Sequence, residues 1–162
     1  MVTKRLLLAV VGAALLVALP GSASARPAQT QTLANTFVMA AYIGPVQKPF
    51  PTVDISGGVD IFQARDALLS KLNPALPFGA PTPFTITPSQ MGQARNAFAA
   101  LTSSPAGTKF KIGLYLMNMS TGKVTAKRFG ATPGKAALAK LAGSLPAAPR
   151  SAIKKLRSIA FP

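Results

Sequence analysis

From Ala67 to Pro162 the chain carries thirteen Lys or Arg residues and not one Asp or Glu. No ion pair between side chains can form within that stretch. Like charges with no internal acidic partner repel one another and destabilise the compact state unless something compensates. Residues 26–66 are neutral by comparison, because Asp54, Asp60 and Asp66 balance Arg26, Lys48 and Arg65. Two readings of the basic half compete. One is a solvated surface that keeps the protein colloidally stable; the other is the footprint of a polyanionic partner such as anionic lipid headgroups, an envelope polymer, an acidic glycan or nucleic acid.

The residue types that are missing narrow the chemistry. The 162 residues contain no His, no Cys, no Trp and no Glu. Imidazole bases, thiolate nucleophiles, glutamate acids and Cys/His metal cages are therefore excluded. The expectation is a non-catalytic protein with no cofactor and no metal site.

Residues 1–25 read as a cleaved signal peptide. Lys4 and Arg5 form a positive start, Leu6 to Leu19 is an unbroken run of apolar or small residues, and Pro20-Gly21 breaks it ahead of Ala23-Ser24-Ala25, a small-x-small cleavage site. The run is shorter than the ~20 residues a membrane-spanning helix needs. Cleavage after Ala25 leaves 26–162 as a single mature domain with sixteen basic and three acidic residues, a net charge of +13. The expected location is outside the cytoplasm, secreted or periplasmic. Without cysteines, an exported chain of this kind is stabilised by packing alone.

Proline and glycine divide the mature chain. Residues 44–52 and 73–88, the latter with Pro74, Pro77, Pro81, Pro83 and Pro88, read as proline-rich loops, because each proline removes a donor and restricts its predecessor. Phe78 and Phe84 suggest that the second loop packs back on the domain. Four segments read as helices. Asp60 caps the first, with Ile61, Phe62, Leu68, Leu69 and Leu72 on one arc and Asn73-Pro74 as its end. Arg65, inside that arc, is expected to pack its stem on the core while its head reaches solvent or pairs with an aspartate.

Thr87-Pro88-Ser89-Gln90 fits a capping box, followed by Met91, Ala94, Phe98 and Leu101 on one face. Thr132-Pro133 starts a third helix with a stripe of Leu138, Leu141 and Leu145. The fourth runs from Pro149 toward Phe161, with Ala152, Ile153, Leu156, Ile159 and Ala160 opposite Arg150, Lys154, Lys155 and Arg157. It reads either as an amphipathic helix closing the domain or as an interfacial helix on a membrane or polyanion.

Phe110, Ile112, Leu114 and Leu116 alternate with Lys109, Lys111, Gly113 and Tyr115, and Ser120-Thr121-Gly122-Lys123 turns the chain into Val124–Phe129, a β-hairpin. Pairing Met119 with Val124 sets Leu114 against Phe129 on the core face and Tyr115 against Arg128 on a basic outer face. Thr36 to Ile43 is apolar throughout; Phe37, Val38, Tyr42 and Ile43 favour a strand over a short helix.

Local motifs add little. Gly130 to Ala136 is one residue short of a phosphate loop and lacks its Ser or Thr. Ser120/Lys123 and Ser151/Lys154 match Ser-x-x-Lys without the companion elements of penicillin-recognising enzymes. Asn118-Met119-Ser120 is a glycosylation sequon only where the source glycosylates. The fold class expected is α+β: a small single domain in which a β-hairpin, with the strand near Phe37 as a third, packs on about four helices. The function expected is binding of an anionic membrane surface or polymer through Lys109, Lys111, Tyr115, Arg128, Lys154, Lys155 and Arg157. The alternative is a structural or assembly subunit of an envelope or extracellular structure, with self-association.

Overall fold

A computed structural model describes residues 36–44, 50–72 and 78–162; the expected signal peptide, residues 1–25, lies outside them. The apolar run is strand β1 (Phe37–Ile43), and Val38 to Ile43 are buried on both faces. It lies at the centre of the sheet, which is why its sequence does not alternate. Strand β2 (Phe50–Gly57) pairs antiparallel with it, and helix α1 (Ile61–Lys71) then crosses to strand β3 (Phe78–Ile86), which is parallel to β2. Helix α2 (Pro88–Ala99) leads to the hairpin of β4 (Ile112–Asn118) and β5 (Val124–Phe129). Helices α3 (Ala131–Gly143) and α4 (Ala147–Ala160) follow. The sheet is mixed and five-stranded, in the order β3-β2-β1-β4-β5. The protein is α+β, with four helices and a larger sheet than a hairpin plus one strand.

The two extra strands correct the reading of 44–52 and 73–88 as loops. Pro81 and Pro83 lie two residues apart in β3, so the N–H groups they lack belong to one lateral side of the strand. At the outer edge of a sheet that side has no partner. Pro51 falls where the β2–β3 register shifts between Phe50 and Thr52, an irregularity that accommodates a missing donor. Residues 45–49 and 73–77 lie outside the described residues.

Alternation assigns the faces. Met39, Ala41, Ile43, Val53, Ile55, Ile112, Leu114 and Leu116 meet α2, α3 and α4 in the larger core. Val38, Ala40, Tyr42, Tyr115 and Met117 face the other way, with Ala64, Leu68 and Leu72 from α1. The α1 arc is rotated from the one expected: Ala64 is fully buried, while Phe62 is 63% exposed. Asp60 caps that helix by accepting from the Phe62 and Gln63 amides, and the Thr87–Gln90 capping box is complete. Helix α3 starts one residue before Thr132, from Gly130, with no side-chain cap. Helix α4 buries Ile153, Leu156 and Ala160 and packs on α3 and the sheet, so it closes the domain; Ile159 is left 47% exposed.

The hairpin register differs by two residues from the expected one: Met117, not Met119, opposes Val124. The turn is longer because the Asn118 side chain accepts from the Ser120 and Thr121 amides and Gly122 takes φ +64°, closing the loop with an Asn118 amide to Lys123 carbonyl bond. Since strand side chains repeat every two residues, the shift leaves the face assignments within β4 and β5 intact; Phe110, expected on the core face with Ile112, lies ahead of β4 and packs instead beside Tyr42 and Tyr115. Leu114 now opposes Lys127 and Tyr115 opposes Ala126, yet Tyr115 and Arg128 still share a face. Among the described residues, no helix is long and apolar enough to cross a membrane.

Candidate anion-binding site

A chain with few carboxylates must find other partners for its cations, and helix C-termini supply them. Unpaired carbonyls and the negative end of the helix dipole gather there. Lys127, projecting from β5 toward the three-helix face, donates from Nζ to the carbonyls of Phe98 (2.9 Å), Ala99 (2.8 Å) and Leu101 at the end of α2. Its ammonium also lies 5.1 Å from the centre of the Phe98 ring. Lys140 donates to the Ala100 carbonyl at 3.3 Å. Burial first, and the neighbouring Lys140 charge second, hold Lys127 below the usual lysine pKa. Arg150 donates from Nε and Nη2 to the Leu145 carbonyl after α3, and Arg95 stacks over Phe37 at 4.7 Å.

Among the described residues one ion pair forms, Arg65 Nε to Asp54 Oδ2 at 3.3 Å, joining α1 to β2. Arg65 thus pairs with an aspartate, one of the two arrangements its place in the arc allowed. Asp54 is 3% exposed, and burial, opposed by Arg65, pushes its carboxyl up to about 6.

Of the remaining described cations, Lys71, Lys123 and Lys135 are exposed singly, and six others form two groups on opposite sheet faces. The first surrounds Arg128 on β5. Its guanidinium lies 5.3 Å from the centre of the Phe110 ring, and hydrogen bonding with the Tyr115 hydroxyl first, then that group's charge, raise its pKa above the usual arginine value. The Tyr115 hydroxyl is 2.8 Å from that of Tyr42, and the two rings stack at 5.4 Å with 10° between their planes. Gly113 and Gly44 make room for this arrangement, since a Cβ would fall 2.5 Å and 2.6 Å, respectively, from the Tyr42 ring. Tyr115 is 1% exposed, which corrects its assignment to a solvated binding face. It supports Arg128 from below and offers no surface to a ligand. Burial first, then the bond to Tyr115, push Tyr42 far above the usual tyrosine pKa, so this hydroxyl stays protonated and cannot act as a base.

Beside Arg128 the segment leading to β4 folds against the edge of β5. The Ser103 hydroxyl donates to the Arg128 carbonyl and accepts from its amide, both at 2.9 Å. The Ser104 amide donates to the same carbonyl, and its hydroxyl accepts from the Gly130 amide at 2.8 Å. Pro105 and Thr108 close a turn in which Gly107 takes φ +86°. Between this segment and β5 lies a hollow of about 550 Å³, lined by Ser103, Ser104, Thr108, Phe110, Ala126 and Arg128 among others. Its lining holds hydroxyl donors and a guanidinium, and no carboxylate. Lys109 and Lys111 are exposed on either side of Phe110, without ion-pair partners, in the segment that bounds it.

The second group is on α4. Lys154 and Lys155 are exposed, whereas Arg157 is half-buried with Nε lacking a hydrogen-bond partner. Lys155 borders a smaller hollow of about 190 Å³ between α4 and the β2–β3 edge, beside Ile159. Lys109 and Lys111 thus flank Phe110, the residue packed against Arg128, without themselves lining the hollow, and Lys154, Lys155 and Arg157 lie on a separate element, α4. The hydroxyls of Ser103, Ser104 and Thr108 had no place in the sequence reading. The string Ser103-Ser104-Pro105-Ala106-Gly107 signals a turn, but nothing in it reveals the strand edge it docks on. Compared with known protein families, curated proteins and solved structures, the chain matches none.

Proposed function

We propose that the protein is an exported, non-catalytic binder of an anionic polymer, engaged through the exposed cations of its second half. One observation carries this reading: Lys109, Lys111, Lys154 and Lys155 are exposed without a carboxylate partner, and the one ion pair among the described residues lies elsewhere, at Arg65–Asp54. An external polyanion would relieve their mutual repulsion. A polymer is favoured over a bilayer because α4, the best candidate for an interfacial helix, spends its apolar stripe on the core.

Binding is favoured over assembly through sheet edges because both edges are obstructed. Pro81 and Pro83 stand on β3, and the Ser103–Ser104 segment bonds to Arg128 of β5. The test is a salt-gradient binding screen against acidic polysaccharide, lipopolysaccharide, phosphatidylglycerol vesicles and DNA. The expected outcome is saturable polyanion binding that weakens as salt rises. Concentration-dependent oligomers with no polyanion binding would favour the assembly reading instead.

A further inference from the structure

The polymer reading leaves open where one anionic unit would be held, and a flat field of lysines provides no such place. The hollow beside Arg128 does. We propose that it is the specific subsite for an oxyanion-bearing sugar, the carboxylate, sulfate or phosphate unit of an acidic polysaccharide, with Lys109 and Lys111 taking neighbouring units along the chain. This inference rests on the polyanion reading and deepens it.

Arg128 is held in advance of any ligand. Phe110 lies against its guanidinium, and Tyr115, itself bonded to Tyr42, fixes it from beneath the sheet surface. A guanidinium fixed in this way loses little side-chain freedom on binding, and its planar fork matches an oxyanion with two parallel bonds. The Ser103 hydroxyl is consumed by the Arg128 backbone. The Ser104 hydroxyl only accepts, from the Gly130 amide, so its own hydrogen remains to be donated. Thr108 adds a second hydroxyl to the lining. Donors of this kind suit a ligand that carries hydroxyls as well as charge.

The size agrees: about 550 Å³ falls within the ~300–1,000 Å³ of small-ligand sites. A bilayer fits poorly, because the exposed large apolar side chains among the described residues are Phe62 and Ile159, and neither lines this hollow. Nucleic acid fits poorly too. Base stacking needs open aromatic faces, and Phe110, the one aromatic residue in the lining, already carries Arg128 on a face.

The experiment titrates the isotope-labelled exported protein with hexagalacturonate, its methyl-esterified uncharged counterpart, a sulfated dextran oligomer and inorganic phosphate, following backbone amide shifts. Single-stranded DNA and phosphatidylglycerol vesicles are run alongside. Saturable shifts confined to residues 103–111 and 126–130 are expected with the charged oligosaccharides, and none with the esterified one. Carboxylate and sulfate arms identify the preferred group; inorganic phosphate that binds as tightly as the oligosaccharides, with the same shifts, would contradict a sugar subsite. Arg128→Gln is expected to weaken binding about tenfold or more, Arg128→Lys to restore little of it, and Tyr115→Phe to weaken it less than Arg128→Gln. The wild-type shift map decides the matter if a variant fails to fold. The subsite is refuted if shifts map to α4, if Arg128→Gln binds within twofold of wild type, or if DNA or vesicles bind more tightly. In those cases the broader polyanion reading survives. If the wild-type protein binds no polyanion at low salt, both fall together.

Discussion

Acidification should stabilise this protein, the reverse of the usual acid response. Asp54 lies beneath α1, 3% exposed, and its carboxyl is pushed from 3.8 to about 6 by burial, despite the opposing charge of Arg65. A carboxyl whose folded-state pKa is raised binds its proton more tightly in the native state. Stability therefore rises as pH falls from about 6 toward 3.8, and the gain is lost again as pH climbs through 6. Between pH 7.5 and pH 4.5 the linkage amounts to about 2 kcal/mol.

Few groups oppose it: the chain has no His to charge and only two other aspartates. Urea unfolding at the two pH values measures the difference directly. Asp54→Asn should abolish most of it. Arg65→Met should enlarge it, because at pH 7.5 that variant strands a buried carboxylate, a defect that costs about 3–5 kcal/mol when complete. A wild-type protein that loses stability between pH 7.5 and 4.5, or an Asp54→Asn variant that keeps the full gain, would show that Asp54 does not carry the effect.

Three further substitutions test the packing. Lys127→Met keeps the apolar stem but removes the ammonium from the α2 carbonyls; a loss of about 1–2 kcal/mol is expected in chemical denaturation. Gly113→Ala drives a methyl group into the Tyr42 ring, so thermal melts should show about 1–3 kcal/mol of destabilisation, and hexagalacturonate affinity should fall as Arg128 loses its support. Thr87→Ala removes one half of the capping box and should cost about 1 kcal/mol without altering any binding.

Features that depend on neighbours in sequence were legible. The capping box at Thr87, the stripe of Met91, Ala94, Phe98 and Leu101, the hairpin, and the central strand from Phe37 each carry their signal within a few residues. Features set by lateral or distant neighbours were not. Pro81 and Pro83 forbid a central strand but not an edge strand, and a strand's position in the sheet is not written beside its prolines. Alternation correctly put Tyr115 on the face of Arg128, but whether that face is solvated depended on Tyr42, 73 residues away. Lys127 reads as one more surface charge until the end of α2 is seen to lie against it. At the candidate site, the cations Lys109, Lys111 and Arg128 were visible as a cluster on one hairpin; the loop that turns them into a hollow was not.

In the binding mode proposed above, Lys109, Lys111 and Arg128 meet a polyanion as a group, while the α4 cations are peripheral. The slope of log Kd against log salt for an acidic polysaccharide tests this most directly, because each close cation contact contributes about one to such a slope on a densely charged polymer. A steep dependence is expected for wild type, with the slope reduced by about three when Lys109, Lys111 and Arg128 are all changed to Gln, and little changed when Lys154 and Lys155 are. A flat wild-type dependence, or a slope that falls only with the α4 variant, would contradict it.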